Sequence, residues 1–162
     1  MKKLTVLGST GSIGCSTLDV VRSRRDDFSV FALVAGRNAE LLARQVAEFR
    51  PQVAVVATEA DRERLIEELA ETGMAKSAWP QLEFGPRARV AAAAAPEVDF
   101  VMSAIVGVAG LEATYEAVRL GKTVGLANKE VLVAGGKLVT EAAREAGTEL
   151  IPVDSEHNGV HQ

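Results

Sequence analysis

Two groups of residues have the types and spacing to do chemistry. The first is Gly8-Ser9-Thr10-Gly11-Ser12-Ile13-Gly14, a G-x-x-G-x-x-G run that follows a short apolar segment. Glycines so spaced permit a tight turn and let backbone come close to a diphosphate. A helix starting there adds unpaired N–H groups and about half a positive charge. Thr10 and Ser12 add hydroxyl donors. An ordinary glycine turn has the same composition, but this run ends the first strand of an alternating chain, where such folds bind phosphate. The second group is Pro152-Val153-Asp154-Ser155-Glu156-His157-Asn158. In extended chain Asp154 and Glu156 fall on one side, about 7 Å apart, and repel by about 2 kcal/mol at an effective dielectric near 20. A hard divalent cation or a shared proton relieves that repulsion. A polar strand-to-helix turn capped by Ser155 fits the same residues, and two carboxylates leave a metal site incomplete.

Between these groups lie weaker candidates. Ala35-Gly36-Arg37-Asn38 ends the second apolar run without the acid that usually holds a ribose 2′-hydroxyl. Arg37 suits a 2′-phosphate through its fork of N–H groups, and Asn38 can donate one more bond, so NADP is favoured over NAD. A solvated arginine beside a capping Asn is the alternative. Leu126-Ala127-Asn128-Lys129-Glu130 ends another apolar run; Lys129 suits a phosphate or carbonyl oxygen, or Asn128 caps a helix with Lys129 and Glu130 in water. Ser103-Ala104-Ile105-Val106-Gly107 can line a nicotinamide pocket through its backbone.

The elements that position these segments follow from periodicity. Apolar runs at Leu4–Leu7, Phe28–Val34, Val53–Ala57, Phe100–Ile105, Thr123–Leu126 and Glu149–Val153 are too short for helices and rich in Val and Ile, as strands buried on both faces are. Leu82–Phe84 reads as a minor strand. Amphipathic stretches separate them: Leu42, Val46 and Phe49 after an Asn38 cap; Leu65, Ile66 and Leu69 after Thr58 and Asp61, a capping-box pair; Leu111, Tyr115 and Val118; and Leu132, Leu138, Val139, Ala142 and Ala146, closed by Gly147. Gly135-Gly136 within the last predicts close packing or a bend. Ala91–Ala95 reads as a small-faced helix ending at Pro96. The pattern is that of a doubly wound α/β domain with a mostly parallel, Rossmann-like sheet.

Composition agrees with one such domain. The 162 residues carry 18 Lys and Arg against 22 Asp and Glu, a net charge of -4 that disfavours nucleic-acid and membrane-surface partners. Hydrophobic residues make up 48% of the chain, which excludes a disordered one, and Cys15 alone cannot form an internal disulfide. No apolar run is long enough to span a membrane, so a cytoplasmic protein is expected. Aromatics are only 4%, as suits helices lying close on a sheet. Arg22, Arg24 and Arg25 read as a solvated helix end, and Trp79 as a reporter of binding if it lies near the site.

Taken together and in order, the five motifs resemble the 1-deoxy-D-xylulose 5-phosphate reductoisomerase family along essentially the whole chain. The resemblance implies NADPH- and divalent-metal-dependent rearrangement and reduction of that phosphosugar to 2-C-methyl-D-erythritol 4-phosphate, a step of isoprenoid synthesis. It implies that Thr10, Gly11, Ser12 and Ile13 hold the NADPH diphosphate and Gly36, Arg37 and Asn38 the adenosine end. Asn128 and Glu130 would contact the cofactor, Lys129, Ser155 and Glu156 the substrate, and Asp154 and Glu156 a Mg²⁺, Mn²⁺ or Co²⁺ ion; Lys129, Asp154 and Glu156 form the catalytic set. It further implies an NADPH-binding domain over residues 1–150, a catalytic segment beginning at 151–162, and a homodimer for the longer protein. Members are more than twice as long, the remainder carrying the third metal carboxylate, the phosphate site and the lid. This chain departs from the family's His-Asn-Ala-Ile-Phe-Gln, reading His157-Asn158-Gly159-Val160-His161-Gln162. Two other readings compete: a non-catalytic nucleotide-binding module, and a semialdehyde-type dehydrogenase, which needs a catalytic cysteine where Cys15 does not stand.

Overall fold

Among the described residues seven strands and six α-helices alternate, as the periodicity predicts. The structure, a computed structural model, describes residues 1–127 and 129–153, with the backbone alone at Lys129. The strands are β1 (Lys2–Leu7), β2 (Phe28–Val34), β3 (Val53–Val56), β4 (Gln81–Phe84), β5 (Phe100–Ser103), β6 (Thr123–Leu126) and β7 (Leu150–Pro152). Between them run α1 (Ser12–Ser23), α2 (Ala39–Phe49), α3 (Glu59–Glu71), α4 (Gly85–Ala94), α5 (Leu111–Arg119) and α6 (Lys129–Ala146). All the strand pairings are parallel, in the order β4-β3-β2-β1-β5-β6-β7. The order reverses at β1, so the crevice between the ends of β1 and β5 is the place where an open α/β sheet takes its ligand.

Two apolar layers sandwich the sheet. Leu18 and Val21 of α1, Leu42 and Val46 of α2, and Leu65 and Leu69 of α3 pack with Leu4, Val6 and Leu33 on one face. Ala92 and Ala93 of α4, Ala117 and Val118 of α5, and Val139 and Ala142 of α6 pack with Val34, Val101 and Val124 on the other. Alanine is the contact residue of α4 and much of α5, so small side chains do let helix backbones lie close to the strands. On the α1 side, Leu4, Ile13, Phe100, Met102 and Val153 border an open apolar groove of about 320 Å³.

Several elements depart from their expected bounds or faces. Ile66 is 39% exposed and Leu138 52%, because each lies about 100° around its helix from the buried stripe. β5 stops at Ser103, and Ile105 belongs to the turn that follows. Gly135 is both bend and contact: its φ of -136° and ψ of 17° break the helical path, and a Cβ there would sit 2.9 Å from Leu111 Cδ1. Arg22 and Arg25 are more than a solvated helix end. Both reach Glu48 across to α2 and lie over the Phe49 ring, and the Arg22 hydrogen bond holds the Glu48 carboxyl below its ordinary range. Trp79 precedes β4, at the edge opposite the glycine turn, where its indole donates to Met74 O at 3.1 Å, so it does not report on that turn. Among the described residues no helix is long and apolar enough to cross a membrane.

Candidate nucleotide-binding site

The glycine turn is fastened to its surroundings by backbone. Gly8 N and Ser9 N both donate to Val34 O at the end of β2, at 2.8 and 2.9 Å, and Gly11 N donates to Gly8 O at 3.0 Å. Two of the three glycines are required by the protein itself. Gly8 has φ +87°, and a Cβ there would lie 2.5 Å from Ala104 O just past β5. At Gly14 a Cβ would lie 2.2 Å from Gly8 O and 2.6 Å from Ser9 Cα, inside the contact between α1 and the turn. Gly11 differs, for its Cβ would meet only Gly8 O at 3.3 Å. That single contact is tight, yet Gly11 is exposed, which suits close approach by a ligand.

Gly11 is also the residue at which α1 begins, with extended backbone and no side-chain cap. The first N–H groups of a helix lack partners within it. Here they emerge beside the crevice at the reversal of strand order. Thr10 is half-buried and Ser12 exposed, so both hydroxyls stand at the same turn. By contrast α2 is capped, since Asn38 Oδ1 accepts from Leu41 N at 3.1 Å. Asn38 therefore fills the capping role that its type predicts, and its amide nitrogen is the group left for a ligand. Arg37 beside it is exposed and has no ion pair among the described residues. A Cβ at Gly36 would meet nothing within 4 Å. The ends of β1 and β2 are neighbours in the sheet, with Leu7 opposite Val34, so the glycine turn and Gly36–Asn38 share one rim.

β5 and β6 bring two further segments to that rim. Ser103 Oγ and Thr114 Oγ1 are 2.7 Å apart and fully buried, and Thr114 donates onward to Gly110 O at 2.8 Å, which braces the loop after β5. Ala127 N donates to Ser103 O at 3.0 Å, fixing the loop after β6 against it. Glu130, in the first turn of α6, is exposed. Asn128, the Lys129 side chain, and Asp154, Ser155 and Glu156 lie outside the described residues, so the expected substrate and metal groups have no geometry to compare. No cluster of metal-ligating side chains occurs among the described residues.

The described rim thus offers backbone N–H groups, two hydroxyls, an amide and a guanidinium. That donor set suits phosphates and fits a dinucleotide with an extra phosphate on its adenosine end. The groups whose pKa is displaced lie elsewhere. Burial lowers Lys122, and hydrogen bonds to carboxylates raise Arg22 and Arg119, all near strand beginnings or helix ends at the opposite edge. One residue behind the turn escaped sequence reasoning. Gln45 of α2 is buried and donates to Ser9 O at 2.8 Å. Its signal was present, as a polar residue three positions from Leu42 on the buried stripe.

Known proteins resemble this chain in sequence and fold. Residues 4–136 match the sequence profile of the family described as 1-deoxy-D-xylulose 5-phosphate reductoisomerase. The enzyme of that name from Solibacter usitatus is 65% identical over all 162 residues, which cover 41% of its own length. The Zymomonas mobilis reductoisomerase, solved in complex with NADPH, superposes with a TM-score of 0.88 at 46% identity, over 97% of this chain and 40% of that one. A DOX-P reductoisomerase solved with NADPH, fosmidomycin and magnesium gives a TM-score of 0.88 at 34% identity, over 98% and 38%. The chain therefore spans about two fifths of the length of the relatives it matches. With the profile covering most of its length, the chain belongs to the 1-deoxy-D-xylulose 5-phosphate reductoisomerase family.

Proposed function

We propose that this chain is the NADPH-binding part of a reductoisomerase that rearranges 1-deoxy-D-xylulose 5-phosphate and reduces the product to 2-C-methyl-D-erythritol 4-phosphate. The observation that carries the reading is the rim itself: a helix start with no side-chain cap at an exposed Gly11, with an exposed Arg37 on the neighbouring strand end. Thr10, Gly11, Ser12 and Ile13 would hold the diphosphate, and Gly36, Arg37 and Asn38 the adenosine 2′-phosphate. Asn128 and Glu130 would meet the nicotinamide end, with Lys129 and Ser155 on the substrate. Asp154 and Glu156 would supply two oxygen ligands to a divalent ion, Glu156 also touching substrate, and Lys129, Asp154 and Glu156 are the catalytic set. Bound NADPH supplies hydride. What these residues do is bind and orient the cofactor's phosphates at one edge of the sheet. The complexes of the relatives with NADPH, fosmidomycin and magnesium support the reading.

The domain division belongs to the same proposal: residues 1–150 form the cofactor domain, and 151–162 begin a catalytic segment. The working enzyme would act on a phosphosugar in the cytoplasm, as a homodimer, with neither nucleic acid nor membrane as partner. The chain by itself would bind NADPH without turnover. Titration of the purified chain while following NADPH emission tests this. Saturation in the micromolar range is expected, whereas no saturation below about 1 mM overturns the reading.

A further inference from the structure

Behind the glycine turn, away from the open rim, α2 sets one polar side chain into an apolar stripe. Gln45 is 6% exposed and stands among Leu42, Ala43 and Val46, all buried. Its Nε2 donates to Ser9 O at 2.8 Å and lies 3.8 Å from Cys15 Sγ, whose thiol donates to the same carbonyl at 3.7 Å. Ser9 N is already committed to Val34 O at 2.9 Å. Ser9 is therefore fixed at both ends, by β2 at its nitrogen and by α2 at its oxygen.

The peptide that follows Ser9 is planar and trans, so its C=O and N–H point in opposite directions. Drawing Ser9 C=O onto Gln45 turns Thr10 N–H toward the outer side of the turn. The helix that carries Gln45 is capped by Asn38, the residue that follows Arg37. One rigid element thus sets the turn's orientation and its distance from the arginine. We propose that Gln45 is the positioning residue that aims the turn's donors at the cofactor diphosphate and holds them in register with Arg37. Stability alone does not account for a glutamine here. Gln45 Oε1 is buried without a partner, a cost that offsets the hydrogen bond its Nε2 gives to Ser9 O.

This inference rests on the cofactor reading above, and two ligands keep their failures apart. NADPH carries both ends of the proposed site, whereas adenosine 2′-monophosphate carries the 2′-phosphate without the diphosphate. Gln45→Met keeps the side-chain length and drops the donor; Gln45→Glu keeps the shape and turns an acceptor toward Ser9 O. In calorimetric titrations both variants should bind NADPH about tenfold more weakly, as loss of one aligned hydrogen bond implies, and the adenosine monophosphate within about twofold of the unsubstituted chain. Gln45→Met should also keep its Tm to within a few degrees, and it carries the test alone if Gln45→Glu does not fold. Unchanged NADPH affinity in Gln45→Met overturns the inference. So does a parallel loss of both ligands, which would make Gln45 a general support of α2. If the unsubstituted chain binds no NADPH, the cofactor reading falls and this inference with it, a result seen before any variant is made.

Discussion

Gly14→Ala is the sharpest test of how the turn is built. A Cβ at position 14 would stand 2.2 Å from Gly8 O, 2.6 Å from Ser9 Cα and 2.7 Å from Ser9 C. All three atoms are backbone, so no side chain can rotate away. To restore an ordinary contact the start of α1 must move from the turn by about 1 Å, in an interior packed too densely to absorb it. Overpacking of that kind costs at the upper end of about 1–3 kcal/mol, offset by about 1 kcal/mol for alanine over glycine in a helix. The net loss is about 2 kcal/mol, or roughly 4–8 °C in Tm for a domain of this size. The same displacement carries Ser12 and Ile13, at the start of α1, away from the proposed diphosphate. Losing one charge-assisted N–H bond of about 1.5–3 kcal/mol lowers NADPH affinity by roughly 10- to 100-fold.

Thermal unfolding and NADPH titration of the variant measure both effects. Gly136→Ala is the internal comparison, since its Cβ would meet only Leu132 Cβ at an ordinary 3.9 Å. That change should stabilise the chain by about 0.5–1 kcal/mol through helix propensity. If Gly14→Ala behaves like Gly136→Ala, with Tm equal or higher and NADPH affinity within about twofold, the steric reasoning is refuted.

Two further outcomes follow from other parts of the molecule. Arg37→Ala should weaken NADPH by about 10- to 100-fold and leave NADH nearly untouched, because the guanidinium is proposed to meet only the 2′-phosphate; equal losses for both in parallel titrations would contradict that role. Lys122→Met concerns the opposite edge, where the buried ammonium donates to Ala95 O and Val98 O at 2.6 and 2.8 Å. Burial lowers its pKa from 10.5 against the opposing pull of Asp99 and Glu97. The folded chain therefore releases this proton before the unfolded chain does. In the window just below 10.5 the unfolded state holds more protons, and stability rises with pH there. The rise should flatten in Lys122→Met when urea midpoints are compared between about pH 8 and pH 10, and identical slopes would remove Lys122 as its source.

What the sequence disclosed and what it hid divide along the range of the interactions. β2 and β6 have the bounds that their apolar runs mark, and Asn38 and Thr58 cap the helices they precede, because runs and caps are decided within a few residues. Ile66 and Leu138 have the apolar character of the buried stripes, yet both are exposed, because packing covers only one side of each helix. The Gln45–Ser9 bond spans 36 residues, and the Arg22–Glu48 pair 26. Neither leaves a local pattern beyond a polar residue in an unexpected place.

The glycine motif shows the same division within seven residues. Its spacing announces a turn that approaches a phosphate, but the three glycines are not equivalent. Gly8 is required by a positive φ and by Ala104, which is 96 positions away and arrives only when β5 pairs with β1. Gly14 is required by the contact of α1 with Gly8 itself. Gly11 is exposed and its Cβ would press only on Gly8 O, at 3.3 Å, so of the three it is the one that packing constrains least and the proposed ligand best explains. The pattern that identifies a nucleotide site is thus two-thirds a statement about how β1, β5 and α1 fit together. The remaining third, with Arg37 on the neighbouring strand end, concerns the molecule that they receive.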